Sequence, residues 1–258
     1  MKKEIVLKKD ELFKYLKSEE EKSISGWDFS YLDGRWDEED LPWNYKEIVK
    51  KYLRPEHFML DMGTGGGEFL MTLNHPYDKT SVTEGYKPNY EICMSKLAPL
   101  GVKVYNYVGD DRLDLIDDNT FDIVINRHES YNESELHRIL KPNGVFITQQ
   151  VGAYNNKALA TFFDESHVDQ FPELTLDKSI ERLIENSFDI LYSDEYYPLL
   201  KFYDLGAIAY FAKIIEWEFI NFSVDKTIDK FEILQKELER TGFISSKEHR
   251  FIIVALKK

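Results

Sequence analysis

The chain of 258 residues is 43% hydrophobic and 31% charged, so it has enough apolar residues for a folded core and is unlike a disordered protein. Its formal net charge is -14, and because its Lys and Arg residues are scattered, the sequence argues against a nucleic-acid partner. The single cysteine, Cys93, excludes an intrachain disulfide and a cysteine-based zinc site, so we expect no metal and a cytoplasmic location.

The N-terminal residues predict a charged helix over 4–23, without the long apolar centre of a signal peptide. An irregular segment follows that contains Trp36 among several aromatic side chains. Two interpretations stay open: these aromatic residues pack an N-terminal arm onto the core, or they cover a site. The most apolar segment, residues 205–222, is interrupted by Lys213, Glu216 and Glu218, so we expect a buried or lid helix and no membrane partner.

Strands and helices are predicted to alternate from residue 58 onward. This alternation is typical of parallel βαβ units in an α/β sheet, whose ligands bind at the edge formed by the carboxyl ends of the strands. The predicted strands are FMLDM, TSVTEG, KVYNYVG, FDIVIN, VFITQQVG, FDILYSDEYYPLL and HRFIIVALKK.

The stretch HFMLDMGTGGGEFL, residues 57–70, contains the first of these strands and the glycine-rich loop that follows it. A dinucleotide loop with the pattern G-x-G-x-x-G would need glycine at position 68, where the chain has Glu68. A P-loop would need Lys-Ser or Lys-Thr after its last glycine, and neither is present. The spacing that fits is D-x-G-x-G-x-G, which begins at Asp61.

This spacing resembles motif I of the class I S-adenosylmethionine-dependent methyltransferases, and further motifs extend the resemblance over residues 57–152. Glu84 stands where the family's acid binds the ribose hydroxyls, and VGDDRLDLIDDNTFDIV resembles the family's adenine segment. LHRILKPNG resembles the family's turn into strand five, with Asn143 in place of a glycine. The resemblance implies that S-adenosylmethionine is bound by Asp61, Gly63, Thr64, Gly65, Gly67, Glu84, Gly85, Tyr86, Asp110, Asp111, Asn126 and Arg127.

The resemblance also implies a fold and a domain organisation. We expect a Rossmann-like, mostly parallel seven-stranded sheet with helices on both faces and an antiparallel last strand. Residues 1–50 are predicted to form a helical and aromatic arm. Residues 51–258 are predicted to form a methyltransferase domain with a helical lid insertion at about residues 203–241.

The acceptor side is less defined by the sequence. His128 is the best candidate for a general base because imidazole titrates near neutral pH, but a histidine that is merely hydrogen-bonded within its loop is an equal alternative. Arg127 and Glu129 could orient a charged acceptor or pair with each other. The residues predicted to contact the substrate are Trp36, His128, Gln150, Tyr154 and Tyr210.

The leading hypothesis is transfer of a methyl group to a small organic acceptor. Methylation of RNA or protein is one alternative, and a cofactor-binding protein without catalysis is another. An NAD-dependent oxidoreductase is a fourth hypothesis, against which Glu68 argues. The aromatic residues of the C-terminal half could line an acceptor pocket or form a homodimer interface.

Overall fold

The computed structural model describes residues 7–24, 28–107 and 112–258, which fall into two compact units. The described elements, in chain order, are α1 Lys9–Glu20, β1 Trp36–Glu38, α2 Tyr45–Tyr52, β2 Met59–Met62, α3 Glu68–Met71, β3 Thr80–Thr83, α4 Lys87–Lys96, β4 Lys103–Tyr105, β5 Phe121–Arg127, α5 Glu133–Ile139, β6 Leu140–Val151, α6 Lys157–Phe163, α7 Leu176–Glu185, β7 Phe188–Tyr196, β8 Leu199–Phe202, α8 Leu205–Ile214, α9 Val224–Thr241, β9 Ile244–Lys247 and β10 Arg250–Lys257.

One unit, here called the seven-stranded unit, consists of Leu41–Gly152, Glu173–Tyr196 and Arg250–Lys258. Its sheet has the order β4-β3-β2-β5-β6-β10-β7. The pairs from β4 to β6 are parallel, and β10 is antiparallel to both of its neighbours. The predicted mostly parallel seven-stranded sheet with an antiparallel last strand is therefore confirmed.

Successive side chains along the central strands point to opposite sides of the sheet, and both faces are covered by helices. One face packs Leu60, Val124 and Phe146 against α5 and α7. The other face packs Met59, Ile123 and Ile147 and adjoins α2 and α4. Burial on both sides explains why the central strands read as nearly continuous apolar runs.

Local sequence signals fix the loops of this unit. The Asn132 side chain accepts a hydrogen bond from the Glu135 amide and caps the start of α5. Asn143 has a φ of +62°, as the predicted turn into strand five requires. These loops set where each strand leaves the sheet, and thus where the site residues stand.

The other unit, here called the three-stranded unit, consists of the residues up to Asp40, Ala153–Pro172 and Tyr197–His249. Its antiparallel sheet has the order β1-β8-β9. The sequence did not predict this sheet: β1 and β9 are short and polar, and Pro198 separates β7 from β8 within one predicted strand. Helix α8 is buried along Leu205–Ala212 but ends at Ile214, short of the predicted residue 222.

A network of buried charges holds the N-terminal helix of the three-stranded unit. The Arg35 guanidinium donates to Glu19 at 3.0 Å and to Asp204 at 2.6 Å. Glu19 is only 5% exposed and also accepts from Lys22 and Tyr31. Because a buried carboxylate is stable only when it is paired, these contacts stabilise the association of α1 with α8.

The predicted boundary at residue 50 falls inside α2 of the seven-stranded unit, and residues 203–241 fall within the three-stranded unit. Whether residues 203–241 act as a lid stays a prediction. Among the described residues, no helix is long and apolar enough to cross a membrane.

Candidate cofactor site

The strand order places a crevice at the carboxyl ends of β2 and β5. From β2 the chain continues to β3 and β4 on one side, and then returns to β5 and β6 on the other. In parallel α/β sheets, ligands bind at such a reversal point, outside the carboxyl ends of the two strands. Met62 and Asn126 are paired in register there, so the loops that follow them are neighbours.

The loop after β2 has the backbone of a tight, glycine-dependent turn. Gly63, Gly65 and Gly67 have φ values of +64°, +64° and +83°, a region that other residues rarely adopt. A Cβ at Gly63 would lie 2.7 Å from atoms of Glu129, and one at Gly67 would lie 2.8 Å from Leu97. No atom of the described residues lies within 4 Å of the position that a Cβ at Gly65 would occupy, so the described part of the chain leaves space beside the middle of the loop.

Glu84 holds this loop from the end of β3. Its Oε2 accepts from the Gly65 amide at 2.9 Å, and its Oε1 accepts from the Tyr86 amide at 2.8 Å. The Gly65 carbonyl in turn accepts from the Cys93 thiol at 3.1 Å. Burial raises the pKa of Cys93 to about 12, so the thiol stays protonated and able to donate. The backbone of Gly65 is thus held by hydrogen bonds at both its amide and its carbonyl.

Asp61 lies under the loop and is 5% exposed. Its Oδ2 accepts from the Thr64 hydroxyl at 2.7 Å. Burial raises the pKa of Asp61 to about 6, while Thr64 and the positive charge of Arg127 act in the opposite direction. Arg127 lies 4.9 Å from the Phe69 ring centroid. The site therefore contains a buried carboxylate whose ionised form a positive ligand would stabilise.

Asn126, at the end of β5, is completely buried. Its backbone carbonyl and amide bond the Tyr45 hydroxyl at 2.9 and 3.1 Å. Its Oδ1 accepts from Thr148 at 3.1 Å and from Gln150 at 2.8 Å, and its Nδ2 has no hydrogen-bond partner among residues 7–24, 28–107 and 112–258. Gln150 Nε2 also lies 2.9 Å from the Glu129 carbonyl, so these amides join the ends of β5 and β6.

The His128 ring is oriented by Gln149, which is itself oriented by Trp43. Trp43 can only donate, and its indole N–H donates to Gln149 Oε1 at 2.9 Å. Gln149 Nε2 therefore faces His128 Nε2 at 3.3 Å as a donor, which makes this ring nitrogen an acceptor. The residue is exposed to solvent, and partial removal of its ring from water, together with the charges of Arg250 and Arg127, lowers the pKa of His128.

A neutral imidazole whose Nε2 already accepts a hydrogen bond is a weak proton acceptor. The contacts of His128 therefore favour a hydrogen-bonding role over that of a general base. Its φ of +66° turns the chain sharply after β5, and its amide donates to the Gln149 carbonyl at 2.9 Å. Any part that His128 plays in catalysis stays a prediction.

The predicted cofactor residues that the structure describes gather at one sheet edge. Glu84 is buried, Gly85 is half-buried, and Tyr86 is 55% exposed beside the loop. Asp110 and Asp111, predicted to bind adenine, lie outside the described residues. Their role stays a prediction.

The predicted substrate residues fall in different units. Gln150 is buried in the seven-stranded unit and donates to protein atoms. Trp36, Tyr154 and Tyr210 belong to the three-stranded unit. Trp36 packs on Phe29 and Phe211, Tyr154 stacks on His249, and Tyr210 is 2% exposed beside Tyr31. A contact of these residues with substrate stays a prediction.

Two open cavities occur within the three-stranded unit, with volumes of about 490 and 510 Å³. Tyr31 and Tyr210 line the first, and Trp217, Phe219 and Ile220 line the second. Their linings contain no residue of the glycine loop, so the crevice between β2 and β5 is identified by strand order and hydrogen bonding instead.

The contribution of Thr83 and the partners of Trp43 and Tyr45 were not predicted from the sequence, although both aromatic residues belong to the segment for which a cover over a site was one interpretation. Thr83 Oγ1 accepts from the Gly63 amide at 3.2 Å. Tyr45 and Trp43 reach the ends of β5 and β6 from the segment before β2. Their aromatic, polar-tipped side chains are a signal for a partly buried hydrogen bond, but the partner depends on the fold. Glu129 was considered only for its charge.

Comparison with solved structures supports the fold. YcgJ from Bacillus subtilis matches with a TM-score of 0.55 and 19% identity, over 83% of this chain and 98% of that one. A candidate methyltransferase from Bacillus halodurans matches with a TM-score of 0.53 and 15% identity, over 83% and 98%. A functionally unknown protein from Deinococcus radiodurans matches with a TM-score of 0.54 and 13% identity, over 89% and 96%.

No protein-family model and no curated protein matches the sequence. At these identities the solved structures establish the fold alone. It is a Rossmann-like fold with a mostly parallel seven-stranded sheet, shared with the candidate methyltransferase from Bacillus halodurans.

Proposed function

We propose that the protein is an S-adenosylmethionine-dependent methyltransferase that acts on a small organic acceptor. The proposal rests on the backbone of Gly65 at the crevice between β2 and β5. Glu84 binds its amide, Cys93 binds its carbonyl, and the described residues leave space beside it. A ligand can approach this backbone closely because no side chain of the described residues occupies the space. The methyltransferase fold around the crevice supports the same cofactor.

The residues present fit the chemistry of this cofactor. Glu84 Oε1 and Oε2 each hold one amide and keep further lone pairs, so the carboxylate can also accept from two ribose hydroxyls. Asp61, Glu84 and Glu129 make the surroundings of the loop acidic, which suits a ligand with ammonium and sulfonium groups. The same charges oppose a phosphate group.

When bound, S-adenosylmethionine supplies an electrophilic methyl group. The protein then has to orient an acceptor in line with that group and keep water away, since alignment supplies much of the rate. Neutral His128, fixed by Gln149 and Trp43, can hydrogen-bond an acceptor near the end of β5. A general base is needed only for an acceptor that must lose a proton.

A small acceptor is favoured over RNA by charge. The chain carries a formal net charge of -14, and Asp61, Glu84 and Glu129 place carboxyl groups around the loop after β2. Binding to a polynucleotide depends on Lys and Arg contacts to phosphates, and these carboxyl groups oppose a phosphate. Incubating the protein and labelled S-adenosylmethionine with a cell extract tests this choice, since label in RNA or protein would contradict it.

Cofactor binding is tested by calorimetric titration with S-adenosylhomocysteine. We expect binding by the wild type and a Kd raised at least about tenfold in Glu84→Gln, which keeps the shape of the side chain but has one acceptor oxygen. Glu91→Gln, at an exposed position of α4, is the matched control and should bind normally. No binding by the wild type, or equal affinity in Glu84→Gln, would refute the proposal.

A further inference from the structure

We propose that Trp43 and Gln149 are positioning residues that hold the His128 ring in its Nδ1–H tautomer, so that His128 offers the methyl acceptor a hydrogen-bond donor. An acceptor bound by this group presents an oxygen or nitrogen lone pair to it, as a carboxylate or a carbonyl does. The tautomer follows from contacts within the seven-stranded unit. The role of His128 toward a methyl acceptor rests on the proposed function.

The series of contacts begins at Trp43. Its side chain is 8% exposed, and it lies two residues before Tyr45 in the chain. The Tyr45 hydroxyl donates to the Asn126 carbonyl at 2.9 Å and accepts from the Asn126 amide at 3.1 Å, which anchors this segment at the carboxyl end of β5. An indole N–H only donates, so the atom that Trp43 Nε1 meets at 2.9 Å has to be an acceptor.

That requirement orients the amide of Gln149, which is 7% exposed. Its Oε1 takes the hydrogen of Trp43, because the reversed amide would set its NH₂ group against the indole N–H, with two buried donors facing each other. Nε2 of Gln149 therefore lies on the other side, 3.3 Å from His128 Nε2. This ring nitrogen accepts, and the hydrogen of the neutral ring is on Nδ1.

The remaining surroundings of His128 agree with this tautomer. The His128 amide donates to the Gln149 carbonyl at 2.9 Å, so the two residues are joined through the backbone as well as through their side chains. Removal from water and the charges of Arg250 and Arg127 lower the pKa of His128, which keeps the ring neutral near neutral pH. Among the described residues, the ring makes no hydrogen bond other than that to Gln149.

The loop that carries His128 borders the crevice. His128 directly follows β5, which ends at Arg127, and it is exposed. Side-chain atoms of the next residue, Glu129, lie 2.7 Å from the position that a Cβ at Gly63 would occupy, so this loop lies against the glycine loop. Ligands of parallel α/β sheets bind outside these strand ends. A ring N–H at this edge is therefore a suitable donor to the polar group of an acceptor.

The tautomer can be measured without cofactor or acceptor. Long-range ¹H–¹⁵N correlation spectra of protein with ¹⁵N-labelled histidine separate protonated from unprotonated ring nitrogens, and His128→Asn identifies the signals of His128 among the six histidines. At neutral pH we expect the wild type to carry the ring hydrogen on Nδ1, whereas a histidine free in water favours Nε2–H. A hydrogen on Nε2, or on both nitrogens, would overturn the proposal.

Two variants test the positioning residues. In Gln149→Glu, a carboxylate that only accepts faces both Trp43 and His128, so we expect Nε2 of His128 to become protonated. Trp43→Phe removes the indole donor and should lower the ratio of Nδ1–H to Nε2–H by about tenfold. Gln170→Glu adds a charge at an exposed position and should leave the His128 signals unchanged. An unprotonated Nε2 in Gln149→Glu, or an unchanged ratio in Trp43→Phe, would contradict the positioning role.

The role toward the acceptor is measured as transfer of label from S-adenosylmethionine to the small molecules of a cell extract. We expect Gln149→Glu to transfer label about tenfold more slowly than the wild type, and Gln170→Glu to transfer it at the wild-type rate. Unchanged transfer by Gln149→Glu with a protonated Nε2 would overturn the donor role. If the wild type transfers no label, the proposed function and the donor role both fail, and the tautomer measurement distinguishes this from a failure of the positioning contacts.

Discussion

Replacing Gly65 with alanine should weaken cofactor binding far more than it weakens the fold. Gly65 has a φ of +64°, and an added Cβ would meet no atom within 4 Å in the part of the chain that the structure describes. For alanine, this backbone conformation alone is expected to lower the unfolding free energy by about 1 kcal/mol. Gly34 of the three-stranded unit has a φ of +74° and equally open space, so Gly34→Ala should lose a similar amount.

The two variants should differ in their affinity for the ligand. The Gly65 loop cannot easily withdraw, because Glu84 holds its amide and Cys93 holds its carbonyl. A methyl group forced against a bound ligand is expected to lower the binding free energy by about 1–3 kcal/mol, or roughly 5- to 150-fold in Kd. Calorimetric titration with S-adenosylhomocysteine and thermal denaturation of both variants measure the two effects.

Equal affinities of Gly65→Ala and Gly34→Ala for S-adenosylhomocysteine would refute the prediction that the ligand lies beside Gly65. The space beside Gly65 would then not be ligand space, whatever the stability of the variants. A loss of binding in Gly34→Ala would show that backbone strain in either unit suffices to abolish binding.

Two predictions concern stability. Burial raises the pKa of Asp61 to about 6, so the folded state takes up a proton where the unfolded chain does not, and stability falls as the pH rises through this range. Between pH 5 and pH 7, the wild type should lose about 1 kcal/mol more than Asp61→Asn in urea titrations, and parallel profiles would contradict the raised pKa. Arg35→Ala removes the partner of buried Glu19 and of Asp204 and should lower the unfolding free energy by about 2–3 kcal/mol. Arg240→Ala breaks an exposed pair and should change it by about 0.5 kcal/mol or less, so equal losses would show that the Arg35 network acts as an ordinary surface pair.

Much of the seven-stranded unit could be predicted because its signals are local. The apolar run before Asp61, the spacing of Gly63, Gly65 and Gly67, and the acid at Glu84 each lie within one strand and its loop. Short-range chemistry decides such features: a strand buried on both faces must be apolar, and a left-handed turn requires glycine. The structure confirms this fold.

The contacts that shape the site could not be predicted in the same way. Trp43 and Gln149 are 106 residues apart, and Tyr45 and Asn126 are 81 apart, so their hydrogen bonds exist only once the sheet has formed. The three-stranded sheet was missed for a related reason. The four residues of β9, Ile244–Lys247, include two serines and a lysine, and become a strand only through pairing with β8.

The position of β10 bears on the order in which the chain can fold. β10 lies between β6 and β7 and pairs with both, and β7 stands at the edge of the sheet beyond it. β6 ends at Val151 and β10 begins at Arg250. The edge of β6 can therefore pair with β10 only after residues 152–250 and the rest of β10 have been synthesised. Until then β6 presents an unpaired edge, which is a template for association with other chains. Elements of the three-stranded unit are made during that interval. The last strand thus joins β7 to the sheet and covers the unpaired edge of β6 in one step.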